Sequence, residues 1–420
     1  MTTIITPAQT KEIAAAVERL TARAQLYARF YNYYAGRHTW NFSSQKFRNK
    51  YGQRLQELKE NLCRTVVKAP ASRLEVIGFM GGEQEVSELA WQIWKRGNMP
   101  LNAGSVHREA FKTGDAYAIV WPDADGKARI VPQAAGNVTV WSDPDTGEVL
   151  RAAKRWSGPD KRTCLTLYYP DRIEKYISKE KTGKEGTDAA SEEFVPRTVD
   201  GEVWPVANPY GRVPVFHFAF ESELEEFGTS LLTDVIPLND ALNKCYADIF
   251  VGQEYNSMRQ RYVAGLRAET DEETGRKIEP YKADEATWIA EDSDTKFGEF
   301  SDAGLEQMLK VKQETVRDIA LVSGIPPSYF NLDTADFPSG EALRKIEARF
   351  TAIVQDAQRS FGETWANAMR FALEIDGRSA GEIETQWTDA APVSETETLD
   401  NALKKKALGW SLERIQADLG

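Results

Sequence analysis

Three stretches of this chain carry residue types that could do chemistry, and each falls short of what that chemistry requires. Asp143-Pro-Asp-Thr-Gly-Glu148 begins like a calcium loop. It lacks a third liganding Asp or Asn before the glycine and the bidentate glutamate that should follow further on. A hairpin turn accounts for it better. Lys181-Thr-Gly-Lys-Glu-Gly186 resembles part of a phosphate-binding loop, without its first glycine, the hydroxyl residue after the lysine, or a buried strand ahead of it. Residues 27–51 hold nine aromatics interleaved with Arg29, Arg37, Lys46, Arg48 and Lys50. That mixture suits single-stranded nucleic acid or a protein interface. It equally suits a helix–loop corner that packs its rings inward while the basic stems snorkel, and this reading is preferred.

Nothing else points to a reaction centre. The chain contains no G-x-S-x-G, H-E-x-x-H or C-x-x-C, and its carboxylates fall in surface runs. Cys63, Cys164 and Cys245 lie far apart, and the three histidines are His38, His107 and His217. A disulfide scaffold and a Cys- or His-rich metal site are therefore unexpected, and a reducing compartment fits. No catalytic residue, metal ligand or cofactor is expected.

The elements that would position any site are numerous. The 420 residues (47.2 kDa) suggest two to four domains. No apolar run is long enough to span a bilayer, and the first residues lack the features of a signal peptide. Net charge is −12 and unevenly spread: residues 1–75 hold 13 basic and 5 acidic residues, the other 345 hold 39 and 59. Such asymmetry suggests different partners at different ends.

Thr6-Pro7 starts a first helix, with an apolar stripe from Ile13 through Val17, Leu20, Ala24, Tyr27 and Tyr31 to Tyr34 before Gly36 ends it. The pattern predicts helices over 53–69, 84–96 and 103–113. Strands follow at 115–121, 138–141, 150–156, 163–169, 172–178 and 213–218, with turns at Asp123–Gly126 and Asp143–Gly147. Beyond Glu226 the chain turns helical. One helix carries Leu231, Val235, Leu238, Leu242, Cys245 and Ile249, with Pro237 expected to kink or restart it. A second carries Leu305, Met308, Lys312, Val316 and Ile319, ended by Gly324 and Pro326-Pro327. A third begins at Ser339 and spans up to ~37 residues, or ~55 Å. Between the first two, residues 266–302 hold 12 acidic and 5 basic residues. A polar stretch, 379–398, precedes a last helical segment, 399–419.

At this point the chain resembles the portal proteins, or head-to-tail connectors, of tailed bacteriophages. The resemblance rests on an ordered series: Tyr34-Ala-Gly-Arg-His38; Asn61-Leu-Cys-Arg-Thr-Val-Val67 with Arg73-Leu74 and Gly78-Phe79; Phe111-Lys-Thr-Gly-Asp-Ala-Tyr117; Gly211-Arg-Val-Pro-Val215; Gly228-Thr-Ser-Leu-Leu232 through Leu238-Asn-Asp-Ala-Leu-Asn243; Ser323-Gly-Ile-Pro-Pro327; and Ser339-Gly-Glu-Ala-Leu343. It implies an α+β, mainly helical fold with a β-rich wing, long stem helices, an α/β clip, a long kinked helix and a small helical crown. The regions would be an N-terminal helical region (1–78), the wing (79–227), stem helix 1 (228–259), the clip (260–300), stem helix 2 (301–324), a tunnel loop (325–338), the long helix (339–376) and the crown (377–420).

The resemblance further implies a homo-oligomeric ring, usually of twelve copies, at one capsid vertex of a virion, assembled in the host cytoplasm. Double-stranded DNA passes non-specifically through its channel during packaging and ejection. Its partners would be a terminase large subunit, a head–tail adaptor, and the major capsid and scaffolding proteins, with no membrane. Asn331, Asp333, Asp336 and Phe337 would face the DNA path, and Asp271, Glu272 and Glu273 would receive the clip's partners. Leu231, Val235, Leu238, Leu242, Ile249, Leu305, Val316 and Ile319 would form stem and subunit contacts. Two other readings stay open: a metal-dependent nuclease or hydrolase using clustered carboxylates, and another ring-forming structural protein of a capsid.

Overall fold

In the computed structural model, the structure describes residues 5–37, 49, 59–181, 194–198, 202–222, 224, 226–257, 261–264, 273, 294–299, 304–332, 340–391, 403 and 406. The chain divides into two compact units, one of residues 1–39, 61–239 and 317–420, the other of 40–60 and 240–316.

The first unit opens with α1, Pro7–Ala35. Thr6 caps it: the Gln9 N–H donates to the Thr6 hydroxyl, and the Thr6 N–H donates to the Gln9 side chain, satisfying two otherwise orphaned donors. Its Ile13, Ala16 and Leu20 pack on Ala153, Leu165, Leu167, Tyr176 and Phe194 of an antiparallel meander. That sheet runs β4 (Val138–Ser142), β5 (Val149–Ser157), β6 (Thr163–Tyr168), β7 (Arg172–Ser178) and β8 (Phe194–Pro196), with β9 (Val206–Ala207) beside β7. At one end its other face packs Val138, Val140, Ala152, Tyr168 and Ile173 against Tyr117, Ile119, Val213 and Val215. The strands there are β2 (Asp115–Pro122), flanked by β3 (Ala128–Gln133) and β10 (Val215–Ala219). The calcium-like stretch is the β4–β5 turn: the Asp143 carboxylate accepts from the N–H groups of Asp145 and Thr146 at 2.8 and 3.2 Å.

Of the aromatics in 27–37, Tyr27, Phe30 and Tyr33 are buried, and Lys112 lies over the rings of Tyr31 and Tyr34. This is the corner-packing arrangement; the rest of the 27–51 cluster, apart from Asn49, lies outside the described residues.

Some boundaries differ from expectation. Residues 59–62 are not helical, and α2 runs Cys63–Ala71 with Pro70 inside it. In the last turn the missing proline N–H costs a single bond, so the helix ends just after Pro70 rather than before it. Helix α3 is Gln84–Arg96, and α4 begins early, at Met99, running to Thr113. The expected polar spacer contains a strand, β13 (Ile383–Trp387), paired antiparallel with β1 (Val76–Gly81). The last predicted helix lies outside the described residues except Leu403 and Lys406, both helical.

Three long helices follow the strands. Helix α5 is Val235–Ser257 and α6 is Leu305–Ser323. Pro237 falls in the first turn of α5, where its missing N–H is an orphan anyway, so it marks a start and not a kink. Helix α7, Gly340–Ile375, has 36 residues, about 54 Å at 1.5 Å per residue. It crosses the first unit's aromatic core, with Trp365 edge-on to Trp94 at 4.9 Å and against Phe218 at 4.4 Å. The Trp365 indole N–H donates to His107 Nε2 at 3.0 Å; burial lowers the His107 pKa to about 3, which keeps the ring a neutral acceptor.

Candidate functional site

Stretches far apart in sequence converge on two polar knots. The first centres on Asp115, whose carboxylate is fully buried. It accepts from the Tyr27 hydroxyl at 2.6 Å, Arg23 Nη2 at 3.0 Å and the Gly228 N–H at 2.9 Å, and lies 2.8 Å from His217 Nε2. The backbone closes around it. The Phe220 N–H donates to the Gly114 carbonyl, Thr229 N–H to the Phe220 carbonyl, and the Ser230 hydroxyl to the Lys112 carbonyl. The stretches Phe111–Tyr117 and Gly228–Leu232 therefore meet, and the chain segment entering α5 is tied to the start of β2.

The second knot centres on Arg73. Its guanidinium donates to the Tyr329 hydroxyl at 2.6 Å, to the buried Glu347 carboxylate at 3.1 Å and to the Ala390 carbonyl at 3.2 Å, and sits 4.6 Å over the Phe350 ring. Tyr329 precedes and Glu347 follows residues 333–339, so one arginine grips the chain on both sides of that stretch. Replacing Arg73 with Ala strands a carboxylate that is 6% exposed. The expected cost is about 3 kcal/mol, read by chemical denaturation, with Arg73→Lys recovering part of it.

Further side-chain contacts fall within each unit separately. In the first unit the Leu62 N–H donates to Asn239 Oδ1 at 3.1 Å. In the second, Glu60 and Asn243 exchange two hydrogen bonds of 3.0 Å, and Lys312 of α6 pairs with Glu60. The rest of the second unit's described residues include a hairpin, β11 (Arg261–Ala264) with β12 (Lys296–Glu299). It exposes Tyr262 and Phe297 on opposite faces.

The expected site residues divide as follows. Asn331 is exposed with φ +53°; Asp333, Asp336 and Phe337 lie outside the described residues. Glu273 is an exposed turn residue, whereas Asp271 and Glu272 lie outside. Val235, Leu242 and Ile319 are fully buried within the chain and Val316 nearly so, while Leu231, Leu238, Ile249 and Leu305 are half-buried. The apolar stripes read from the sequence are thus largely covered by the chain itself. Apolar surface left open on α6 belongs to other positions: Leu309, Val311, Leu321 and Val322. Val311 and Val322, three turns apart, share a face. They interrupt no period and so gave no sequence signal. Asp115, Arg23, Arg73 and Glu347 were not singled out individually; Asp115 and Arg73 lie in stretches that carried the resemblance, whose physical content these knots supply. Among the described residues, no group of three or more His, Cys, Asp or Glu could hold a metal ion, and no helix is long and apolar enough to cross a membrane.

The fold has solved counterparts. The chain aligns with the neck of a native gene transfer agent particle computed with C12 symmetry (TM-score 0.51, 13% identity, covering 86% of this chain and 89% of that one). It aligns similarly with a chain of the gene transfer agent virion (TM-score 0.51, 14% identity, covering 91% and 94%). The likeness defines a mixed helix-and-sheet fold shared with those chains. More specifically, residues 15–414 match the model of the family "Phage portal protein, SPP1 Gp6-like", and the chain belongs to that family. The portal proteins of Mycobacterium phages D29 and L5 are 26% and 25% identical to it over 387 residues, which is 85% of this chain and 75% of theirs.

Proposed function

We propose that copies of this chain close into a ring, twelve-fold in the mature particle, at one vertex of a phage capsid. Through it double-stranded DNA enters during packaging and leaves during ejection. The observation that carries the reading is membership of the portal family over residues 15–414; the C12 symmetry of the gene transfer agent neck supports the copy number. Open apolar positions on α6 suit contacts between neighbours, which in a ring are head-to-tail and closed by rotation. The chain is a conduit and not an enzyme, in keeping with a structural family.

The acidic balance of the chain has a use in that role. Many cations on a channel wall would hold phosphate tightly, in a salt-dependent way, and stall movement. The clip, residues 260–300, would receive the terminase large subunit and then the head–tail adaptor. Its acids Asp271, Glu272 and Glu273 would draw a basic partner, and the exposed Tyr262 and Phe297 would supply apolar contact.

Purified protein should sediment near twelve times 47.2 kDa, or as a closed ring of similar copy number, and show a central hole by negative-stain imaging. A monomer at every concentration and salt would overturn the reading. For the loop 331–338, Asp333→Lys with Asp336→Lys should leave rings intact and slow in vitro packaging, most severely at low salt. Packaging at the wild-type rate in intact rings would remove these aspartates from the DNA path.

A further inference from the structure

The face of the β4–β8 sheet that turns away from α1 packs on β2 and β10 at one end. Where β2 and β10 stop, a cross-strand row of Lys154, Thr166, Lys175 and Arg197 continues. Lys154 pairs with Thr166 and Thr166 with Lys175, and the Arg197 N–H donates to the Lys175 carbonyl at 2.8 Å. The neighbouring row is Trp156, Cys164, Ile177 and Val195. Paired residues of antiparallel strands share a face, so three cations and a tryptophan lie together there.

Their partners are unequal. Lys175 forms an ion pair with Glu202. Lys154 and Arg197 have no carboxylate partner among the described residues. Instead both lie over the same ring, Lys154 Nζ at 4.9 Å and the Arg197 guanidinium at 5.2 Å from the Trp156 centroid. Arg197 Nε is buried with no hydrogen-bond acceptor. Burial and the nearby Arg197 charge push the Lys154 ammonium below its ordinary value. Two like charges drawn together on one tryptophan, with an orphaned donor, form an arrangement that an external anion would complete. In a chain of net charge −12, such uncompensated proximity is unusual.

We propose that the Lys154–Trp156–Arg197 surface docks a short acidic peptide segment of a partner protein. Its carboxylates are taken by Lys154 and by the Arg197 fork, and an apolar side chain rests on Trp156. A protein segment fits better than duplex DNA. A duplex presents a continuous phosphate rail that needs a long stripe of cations, whereas two cations with no carboxylate partner among the described residues match two carboxylates. Neither residue belongs to the channel, clip or loop discussed above, so the proposal stands apart from the ring reading.

The test uses the full chain, a fluorescein-labelled peptide of alternating glutamate and leucine, and a 20-base-pair duplex, with binding followed by anisotropy. The peptide should bind wild-type protein, weaken with added salt, and bind about tenfold more weakly to Arg197→Gln and to Lys154→Gln. Lys127→Gln should leave it unchanged. In wild-type protein, saturating peptide should protect Lys154 from acylation, read by mass spectrometry; this needs no variant to fold. Absence of peptide binding, equal binding by the variants, or unprotected Lys154 overturns the proposal. Tighter binding of the duplex, lost in the same variants, overturns it in favour of nucleic acid.

Discussion

Gly228→Ala should abolish a stable first unit. A Cβ at this position would fall on the Gly114 carbonyl oxygen and within 2.6 Å of both the amide nitrogen and the carbonyl oxygen of Phe220. All are backbone atoms, and two of them already hydrogen-bond each other's segments, so no rotamer change can make room. The reciprocal change, Gly114→Ala, meets the Gly228 carbonyl and adds the strain of φ +89°. Each should cost on the order of 4–5 kcal/mol or more, a large part of a domain's stability. The readout is soluble yield and thermal melting. Gly126→Ala is the control: it also has positive φ, +75°, but open space around its Cβ, so strain alone should cost only about 1–2 kcal/mol. A Gly228→Ala protein melting within about 2 °C of wild type, the shift that only about 1.4 kcal/mol would give a domain of this size, would show that the two backbones can separate.

The second large effect belongs to Asp115. Asp115→Ala leaves the Arg23 guanidinium and the Gly228 N–H without their acceptor beneath a closed backbone, and the expected loss is about 3–5 kcal/mol. The same group makes stability depend on pH. Burial pushes its carboxyl upward, but His217, the Tyr27 hydroxyl and the Gly228 N–H together outweigh burial and hold it below the ordinary carboxylate value. A depressed folded-state value means that the unfolded chain binds the proton first. The contribution is therefore fully present above roughly pH 4 and is lost as pH falls through the folded-state value. Burial and the Asp115 charge push the Tyr27 phenol upward, so it remains a donor throughout. Melting followed from pH 7 to pH 3 should show a steep acid limb in wild type and a shallower one in Asp115→Asn, which starts from a lower plateau. Parallel curves would mean that Asp115 does not hold its proton equilibrium in this way.

Much of this protein is written locally. Thr6-Pro7 dictates where α1 begins, because a hydroxyl that accepts a backbone N–H and a ring that needs none are properties of adjacent residues. The β4–β7 meander shows in its short runs of strand-forming residues and in the Asp143–Gly147 turn, whose aspartate closes on its own backbone. The 36-residue helix α7 shows in a sustained 3.6-residue stripe ending before Gly377. The order of short stretches along the chain carried the resemblance to the portal family.

What the tertiary structure decided is partnership across distance. Strand β13 finds β1 some three hundred residues away, a pairing that a five-residue polar-looking segment cannot announce because register is set by its neighbours. The stripes of α5 and α6 mark a buried face, but sequence cannot say whether the same chain or another copy buries it; the fold assigns Val235, Leu242 and Ile319 to the chain itself. Asp115 and Arg73 look like ordinary charged residues until burial raises the stakes of every hydrogen bond around them. Lys154 and Arg197 likewise become a pair only when the register of β5 through β8 sets them on one face. Charge and hydrogen-bonding capacity are properties of a residue, whereas desolvation and proximity, which give them their strength, are properties of the packed chain.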